Sequence, residues 1–169
     1  TSIAAARKAL PFARAAGSIE SETQTHLWQG RSLAWLGNHQ EAAAELDSAY
    51  NLAVKANFPS LQAESLWNWS IVASNQADYS AAYDMLQRSL QIYREIDDII
   101  GESAALGQLG VVLLSQEDHE GARRSFEQAL QLYRRMGLRF RECIVLNNLG
   151  IIAYEEGRLS EAMRLHEES

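Results

Sequence analysis

The sequence predicts an all-α fold, an α-solenoid of antiparallel helix hairpins, and three observations carry that expectation. Small residues recur at a fixed period of 40: Gly30, Ser70, Gly110 and Gly150, each followed twelve positions later by Ala42, Ala82, Ala122 and Ala162. A repeat without insertion or deletion describes a stacked array of one supersecondary unit rather than a globular domain around a single cleft. The 169 residues include only two prolines and ten glycines, while Ala, Leu, Glu, Gln and Arg dominate, the residues that lose least on entering a helix. Each unit also carries two runs of helical apolar periodicity separated by a short polar break.

Taken in order, residues 1–17 fit the register as a partial leading repeat, because Ala9-Leu10 align with Ala49-Tyr50, Ser89-Leu90 and Ala129-Leu130. Pro11 removes a backbone bond there, so a kink or fraying is expected. Full repeats follow over 18–57, 58–97 and 98–137, with a truncated last repeat over 138–169, all in one array. The chain therefore reads as a piece of a longer one. Helices are predicted over 20–36 and 39–56, 60–76 and 79–96, 99–116 and 119–136, 139–156 and 159–168.

In the first full repeat the break is Gly37-Asn38-His39, where Asn38 can cap the second helix and Glu41 stands at the capping-box position. Asn57-Phe58-Pro59-Ser60 then ends that repeat, since Pro is tolerated at a helix start and not inside. The second repeat breaks at Ala77-Asp78-Tyr79. In the third, Leu106, Leu109, Gly110 and Leu113 form one stripe, and Ala122, Phe126, Ala129, Leu130 and Tyr133 form the other. Glu117-Asp118-His119 makes its turn, with Asp118 suited to accept a bond from an orphan amide. Gly157-Arg158-Leu159 is the last break. The small residues that mark the period would let the two backbones of a hairpin approach, and enlarging one should cost ~1–3 kcal/mol in overpacking.

Several function classes are disfavoured. A net charge of −7 opposes a nucleic-acid grip, which needs a concentrated cationic face. Cys143 is the only cysteine, so no internal disulfide forms, and the chain suits a reducing cytoplasm. The longest uncharged apolar candidate, Ser65 to Ala77 after the preceding Glu64, is too short to span a membrane and carries Asn68, Ser70, Asn75 and Gln76. His26, His39, His119 and His166 are scattered, so no metal or cofactor is expected. The acidic runs Glu95-Ile96-Asp97-Asp98 and Glu155-Glu156 read as solvated helix ends. Neither a nucleophile motif nor a glycine-rich phosphate loop is present, so no catalytic residue is assigned.

The residues Leu109-Gly110, Ala122, Phe126 and Ala129-Leu130, with Leu149-Gly150, Gly157 and Ala162, resemble the tetratricopeptide repeat. Gly30, Gly37, Ala42, Leu46 and Ala49 match more loosely, and the second copy departs most, with Trp69-Ser70 in place of Leu-Gly. The resemblance implies a right-handed superhelix used for protein interaction. Units of 40 residues exceed the usual repeat, and phrases such as Gln131-Leu132-Tyr133-Arg134-Arg135-Met136-Gly137 look like the long repeats of bacterial LuxR-type activators and signal-transduction ATPases. Scaffolds of the kinesin-light-chain type carry similar units.

In such arrays the first helices line the concave face. By register, the position two before each repeat glycine reads Trp28, Asn68, Gln108 and Asn148. Three amides in a row could bond the main chain of an extended peptide, or could bond neighbouring helices and solvent. Leu27, Arg31 and Trp35, then Trp67 and Ile71, Val111, and Asn147, Ile151 and Tyr154 surround them, apolar and aromatic with one cation. The implied partner is a peptide or protein held by apolar anchors, with Trp67 and Tyr154 as hot spots. Trp28 and Trp69 are instead expected to pack between hairpins. Homo-oligomerisation through exposed terminal helices, or an inducer held in the superhelix, are the other readings.

Overall fold

The computed structural model describes Pro11 and residues 17–169. The partial leading repeat expected over 1–17, with its kink at Pro11, falls almost wholly outside the described residues. Cα proximity divides the chain into two compact units that meet in sequence between Asp98 and Ile99. The first holds α1 (Ile19–Trp35), α2 (His39–Lys55), α3 (Pro59–Asn75) and α4 (Tyr79–Glu95); the second holds α5 (Ile99–Ser115), α6 (His119–Met136), α7 (Arg139–Glu155) and α8 (Leu159–Glu168). Every predicted helix boundary lies within one residue of these. Within each unit the helices pack in chain order: α1 on α2, α2 on α3 and α3 on α4 in the first, α5 on α6, α6 on α7 and α7 on α8 in the second.

The turns obey a shorter period than the repeat. One residue with left-handed backbone recurs every twenty positions, at Gly17, Gly37, Asn57, Ala77, Asp97, Glu117, Gly137 and Gly157. Behind it stands one hydrogen-bond pattern. In the first hairpin the Gly37 amide donates to Ala34 O at 3.1 Å and the Asn38 amide to Leu33 O at 3.0 Å, which satisfies two of the carbonyls orphaned at the end of α1. The same pair of bonds closes α2 through α7, and the residue after each left-handed position caps the next helix. A connection of two or three residues then reverses the chain, so consecutive helices within each unit pack antiparallel.

Capping follows the sequence only in part. Asp118 accepts from the Gly121 amide at 2.9 Å, as expected, and Asp78 accepts from the Ala81 amide at 3.1 Å. Asn38 makes no side-chain cap bond. A capping box also asks the N-cap amide to face the next helix, whereas here that amide is donated backwards to Leu33 O. Pro59 opens α3 at its first turn, where its missing amide costs nothing.

The core is aliphatic and lies between paired helices. Leu33, Ala42, Leu46 and Val72 form one buried cluster in the first unit, with Ala34, Ala43 and Trp69 packed against it. The repeat glycines meet a different partner from the one expected. A Cβ on Gly30 would lie 2.6 Å from Leu46 Cγ, on Gly110 2.5 Å from Phe126 Cε1, and on Gly150 2.7 Å from His166 Cε1. The glycine therefore makes room for the large side chain sixteen positions on, more than for the alanine at twelve. Ala42, Ala82, Ala122 and Ala162 are nonetheless all buried, as is Ser70, whose hydroxyl donates to Trp67 O at 2.6 Å.

A second close approach lies at the other end of the hairpins. Thr23, Ala63 and Ser103 are fully buried, again at a spacing of 40, and Cys143 continues the series half-buried. There the Ser89 hydroxyl on α4 donates to Ala63 O at 2.8 Å on α3, and the Tyr133 hydroxyl on α6 donates to Ser103 O at 3.0 Å on α5. Each bond ties the two helices of one hairpin. Burial raises both the Tyr93 and Tyr133 hydroxyls above the usual tyrosine value, that of Tyr93 by a wide margin.

Candidate functional site

In the first unit α1 and α3 together line a shallow cleft of about 150 Å³. Arg31, Ala34 and Trp35 enter it from α1, three and four residues apart on one helical face, and Trp67, Asn68 and Ile71 from α3. Five of these six were singled out in the sequence as partner-facing. Trp35 is 93% exposed, an unusual position for the largest apolar side chain. Trp67 and Ile71 are half-buried and form the apolar floor.

The cation of the cleft is fixed in place. The Arg31 guanidinium lies 5.0 Å from the centroid of the Trp28 ring, and its Nη1 is 3.4 Å from Glu64 Oε1. Burial raises the Glu64 carboxyl above its ordinary value; the Arg31 charge opposes that shift and Asp98 adds to it. Trp28 was expected to pack between hairpins and is instead 60% exposed, serving as the platform for Arg31. Trp69, by contrast, packs on the core as expected.

Two of the residues assigned to the partner surface need correction. Leu27 is only 3% exposed and belongs to the core, although Trp67, at the same register position one repeat on, lines the cleft. Asn68 lines the cleft but is 6% exposed, and its Nδ2 donates to Glu64 O in its own helix at 2.8 Å. One arm of that amide is thereby committed to the fold, and its carbonyl oxygen is the part suited to an incoming amide.

In the second unit Gln108 and Val111 stand on α5, and Asn147, Asn148, Ile151 and Tyr154 on α7. Gln108 and Asn148 are half-buried, while Val111, Asn147, Ile151 and Tyr154 are exposed. Sequence reasoning missed the start of this α7 face. Phe140, the most exposed large apolar residue of the unit, and Ile144 precede Asn147, Ile151 and Tyr154 at alternating steps of four and three, a helical stripe that the search outward from the repeat glycine did not reach.

Two of the histidines are structural partners of carboxylates. His26 Nδ1 lies 2.6 Å from Glu45 Oε2, linking α1 to α2, and His119 Nε2 lies 3.5 Å from Glu155 Oε2. Glu155 and Glu156 were expected to be merely solvated. Glu156 instead pairs with Arg123 at 3.1 Å and also with Arg158, and Arg123 reaches Glu161 at 3.0 Å, so α6 is tied to the turn between α7 and α8. Among the described residues no group of three or more histidine, cysteine or carboxylate side chains is arranged to hold a metal ion, and no helix is long and apolar enough to cross a membrane.

Residues 101–169 match the family model for the tetratricopeptide repeat. No curated protein matches the chain in sequence. Solved structures do match in fold. BtubC (BKLC) from P. vanneervenii superposes with a TM-score of 0.87 at 17% identity, over 99% of this chain and 70% of that one. The tetratricopeptide-repeat sensor of a signal transduction ATPase with numerous domains, from Pyrococcus horikoshii, gives 0.84 at 18% identity, over 96% of this chain and 25% of that one. The Rap conjugation gene regulator of plasmid pLS20, solved in complex with the Phr* peptide, gives 0.74 at 16% identity, over 92% of this chain and 44% of that one.

Proposed function

We propose that this chain, whose residues 101–169 match the tetratricopeptide-repeat family model, serves as a non-catalytic interaction module that holds a peptide or partner segment in the cleft of its first unit. The observation that carries this reading is Trp35, almost wholly exposed beside Arg31, Trp67 and Ile71. A solvated tryptophan contributes little to folding, whereas burying it against a partner releases the large area that makes this residue type a frequent anchor. Arg31, held by Trp28 and Glu64, would donate to a partner carbonyl or carboxylate, and Asn68 Oδ1 would accept from an amide. Ile71 and Trp67 would take an apolar side chain. On the second unit, Gln108, Val111, Asn147, Asn148, Ile151 and Tyr154 would offer further contact.

The peptide held by the Rap regulator supports such a use of this fold, and the signal transduction ATPase with its tetratricopeptide-repeat sensor supports a place in a larger regulatory protein, which we propose to be bacterial and cytoplasmic. We assign residues 1–169 to one repeat array with full units over 18–57, 58–97 and 98–137. The test is selection of binding peptides from a displayed library, followed by titration of Trp35→Ala. The reading requires affinity for selected peptides to drop about tenfold or more while the melting temperature stays at the parent value. Selection that yields no peptide, or binding that Trp35→Ala leaves intact, overturns it.

A further inference from the structure

Two links between successive repeats, Glu95 to Gly101 and Arg135 to Arg141, share a backbone and oppose each other in charge. Both turn at a left-handed residue, Asp97 with φ 55° and Gly137 with φ 68°. Both close the preceding helix by the same bonds, Asp98 N to Tyr93 O at 2.9 Å and Leu138 N to Tyr133 O at 3.0 Å. Positions 40 apart are therefore structurally equivalent and can be compared one to one. Glu95 becomes Arg135, Asp97 becomes Gly137, Asp98 becomes Leu138, Ile99 becomes Arg139 and Gly101 becomes Arg141. One corner gathers three carboxylates and the other three guanidinium groups.

The apolar content is kept while the charge inverts. Ile100 and Phe140 occupy the same register position and are 67% and 77% exposed. Arg135, Arg139 and Arg141 are likewise exposed and form no ion pair with any described residue, unlike Arg134 beside them, which pairs with Glu142 and Glu168. Asp97 is also exposed. In a chain of net charge −7, three unneutralised arginines around an exposed phenylalanine form a local cationic and apolar patch, the composition of an anchor with a charged rim.

We propose that the corner Arg135–Arg141 docks on the exposed carboxylates Glu95 and Asp97, at the end of the first unit, of a second copy of this chain. Charge complementarity selects that occupant, because the chain itself carries the same turn with the opposite charge. The arginines would face Glu95 and Asp97 of the other copy, and Phe140 between them would lose its exposure to water at the contact. The two surfaces differ, so either a two-fold pair, in which each corner meets the other's complement, or a head-to-tail chain satisfies the contact. It involves none of the residues that line the Trp35 cleft.

Sedimentation equilibrium of the chain, at low ionic strength and across a wide concentration range, tests it. The weight-average mass should rise with concentration and fall back as salt is added, since exposed charge pairs are screened. R135E/R139E/R141E should weaken association about tenfold or more, and Phe140→Ser, which leaves the charge unchanged, should weaken it several-fold. E95R/D97R should also weaken self-association, and mixing it with the triple variant should restore a complex, because each then supplies the corner the other lacks. Far-UV dichroism checks that these exposed substitutions leave the helices intact. A monomer at every concentration, or association untouched by the triple variant as contact through the terminal helices would give, overturns the proposal. So does a monomer that binds acidic lipid vesicles through the arginines, which would assign the corner to a membrane surface.

Discussion

Gly110 on α5 leaves no room for a β-carbon because the Phe126 ring on α6 fills that space: a Cβ there would sit 2.5 to 2.8 Å from three ring atoms. Phe126 is fully buried, so the ring cannot swing into solvent to relieve the contact. Gly110→Ala should destabilise the second unit by ~1–3 kcal/mol. Phe126→Ala alone should cost ~3–5 kcal/mol through the cavity it leaves. Together they should cost less than their sum, since the new methyl occupies part of the vacated space. Urea melts of the four proteins in this cycle check it, and additivity within error would mean the two sites do not share that space.

That pairing also shows what the sequence could and could not reveal. The period of 40 and the helix limits follow from Gly30, Ser70, Gly110 and Gly150 without knowledge of what they touch, because periodicity reports spacing alone. The partner of each glycine is a matter of hairpin register, and side-chain size at Leu46, Phe126 and His166 varies too much to mark it. The cleft residues Arg31, Trp35, Trp67 and Ile71 were legible because helical phase fixes which positions share a face. Leu27 was misplaced because phase alone does not report burial: Trp67 stands at the same register position and lines the cleft, while Leu27 is covered by its neighbours. The ion pairs of Glu155 with His119 and of Glu156 with Arg123 join elements far apart in sequence, which no local pattern encodes.

The left-handed turn residues set up a second prediction. Ala77 and Glu117 adopt φ of 59° and 62°, where Gly37, Gly137 and Gly157 stand in equivalent turns. A side chain in that region costs roughly 1–2 kcal/mol, partly offset by the ~0.5–1 kcal/mol of chain entropy that glycine loses on folding. Ala77→Gly and Glu117→Gly should therefore each raise stability by ~0.5–1 kcal/mol, and Gly37→Ala should lower it by a similar amount. Thermal melts read all three. A loss of stability in both glycine variants would show that these turns carry no backbone strain.

Helix caps give a contrast between two positions in equivalent turns. Asp118 accepts a bond from the Gly121 amide, while the Asn38 side chain makes no such bond. Asp118→Ala should cost ~1 kcal/mol, within the usual range for a lost N-cap. Asn38→Ala should cost clearly less. Equal losses in chemical denaturation would place an unseen capping role on Asn38.

Glu64 supplies a pH test inside the cleft. Burial raises its carboxyl above the ordinary 4.5, against the Arg31 charge and with help from Asp98. Its charged form is thus disfavoured in the folded chain relative to the unfolded one. Between the ordinary value and the raised one, the unfolded chain has released this proton and the folded chain still holds it, so stability falls as pH rises through that window. Glu64→Gln keeps a hydrogen-bonding oxygen near Arg31 and removes the titration. The stability of Glu64→Gln relative to the parent should therefore increase from acidic toward neutral pH and level off once the folded carboxyl has ionised. Urea melts of both proteins across that range decide the matter: a relative stability that declines toward neutral pH would mean that the Arg31 charge outweighs burial, and that the cleft is held together by this ion pair rather than strained by it.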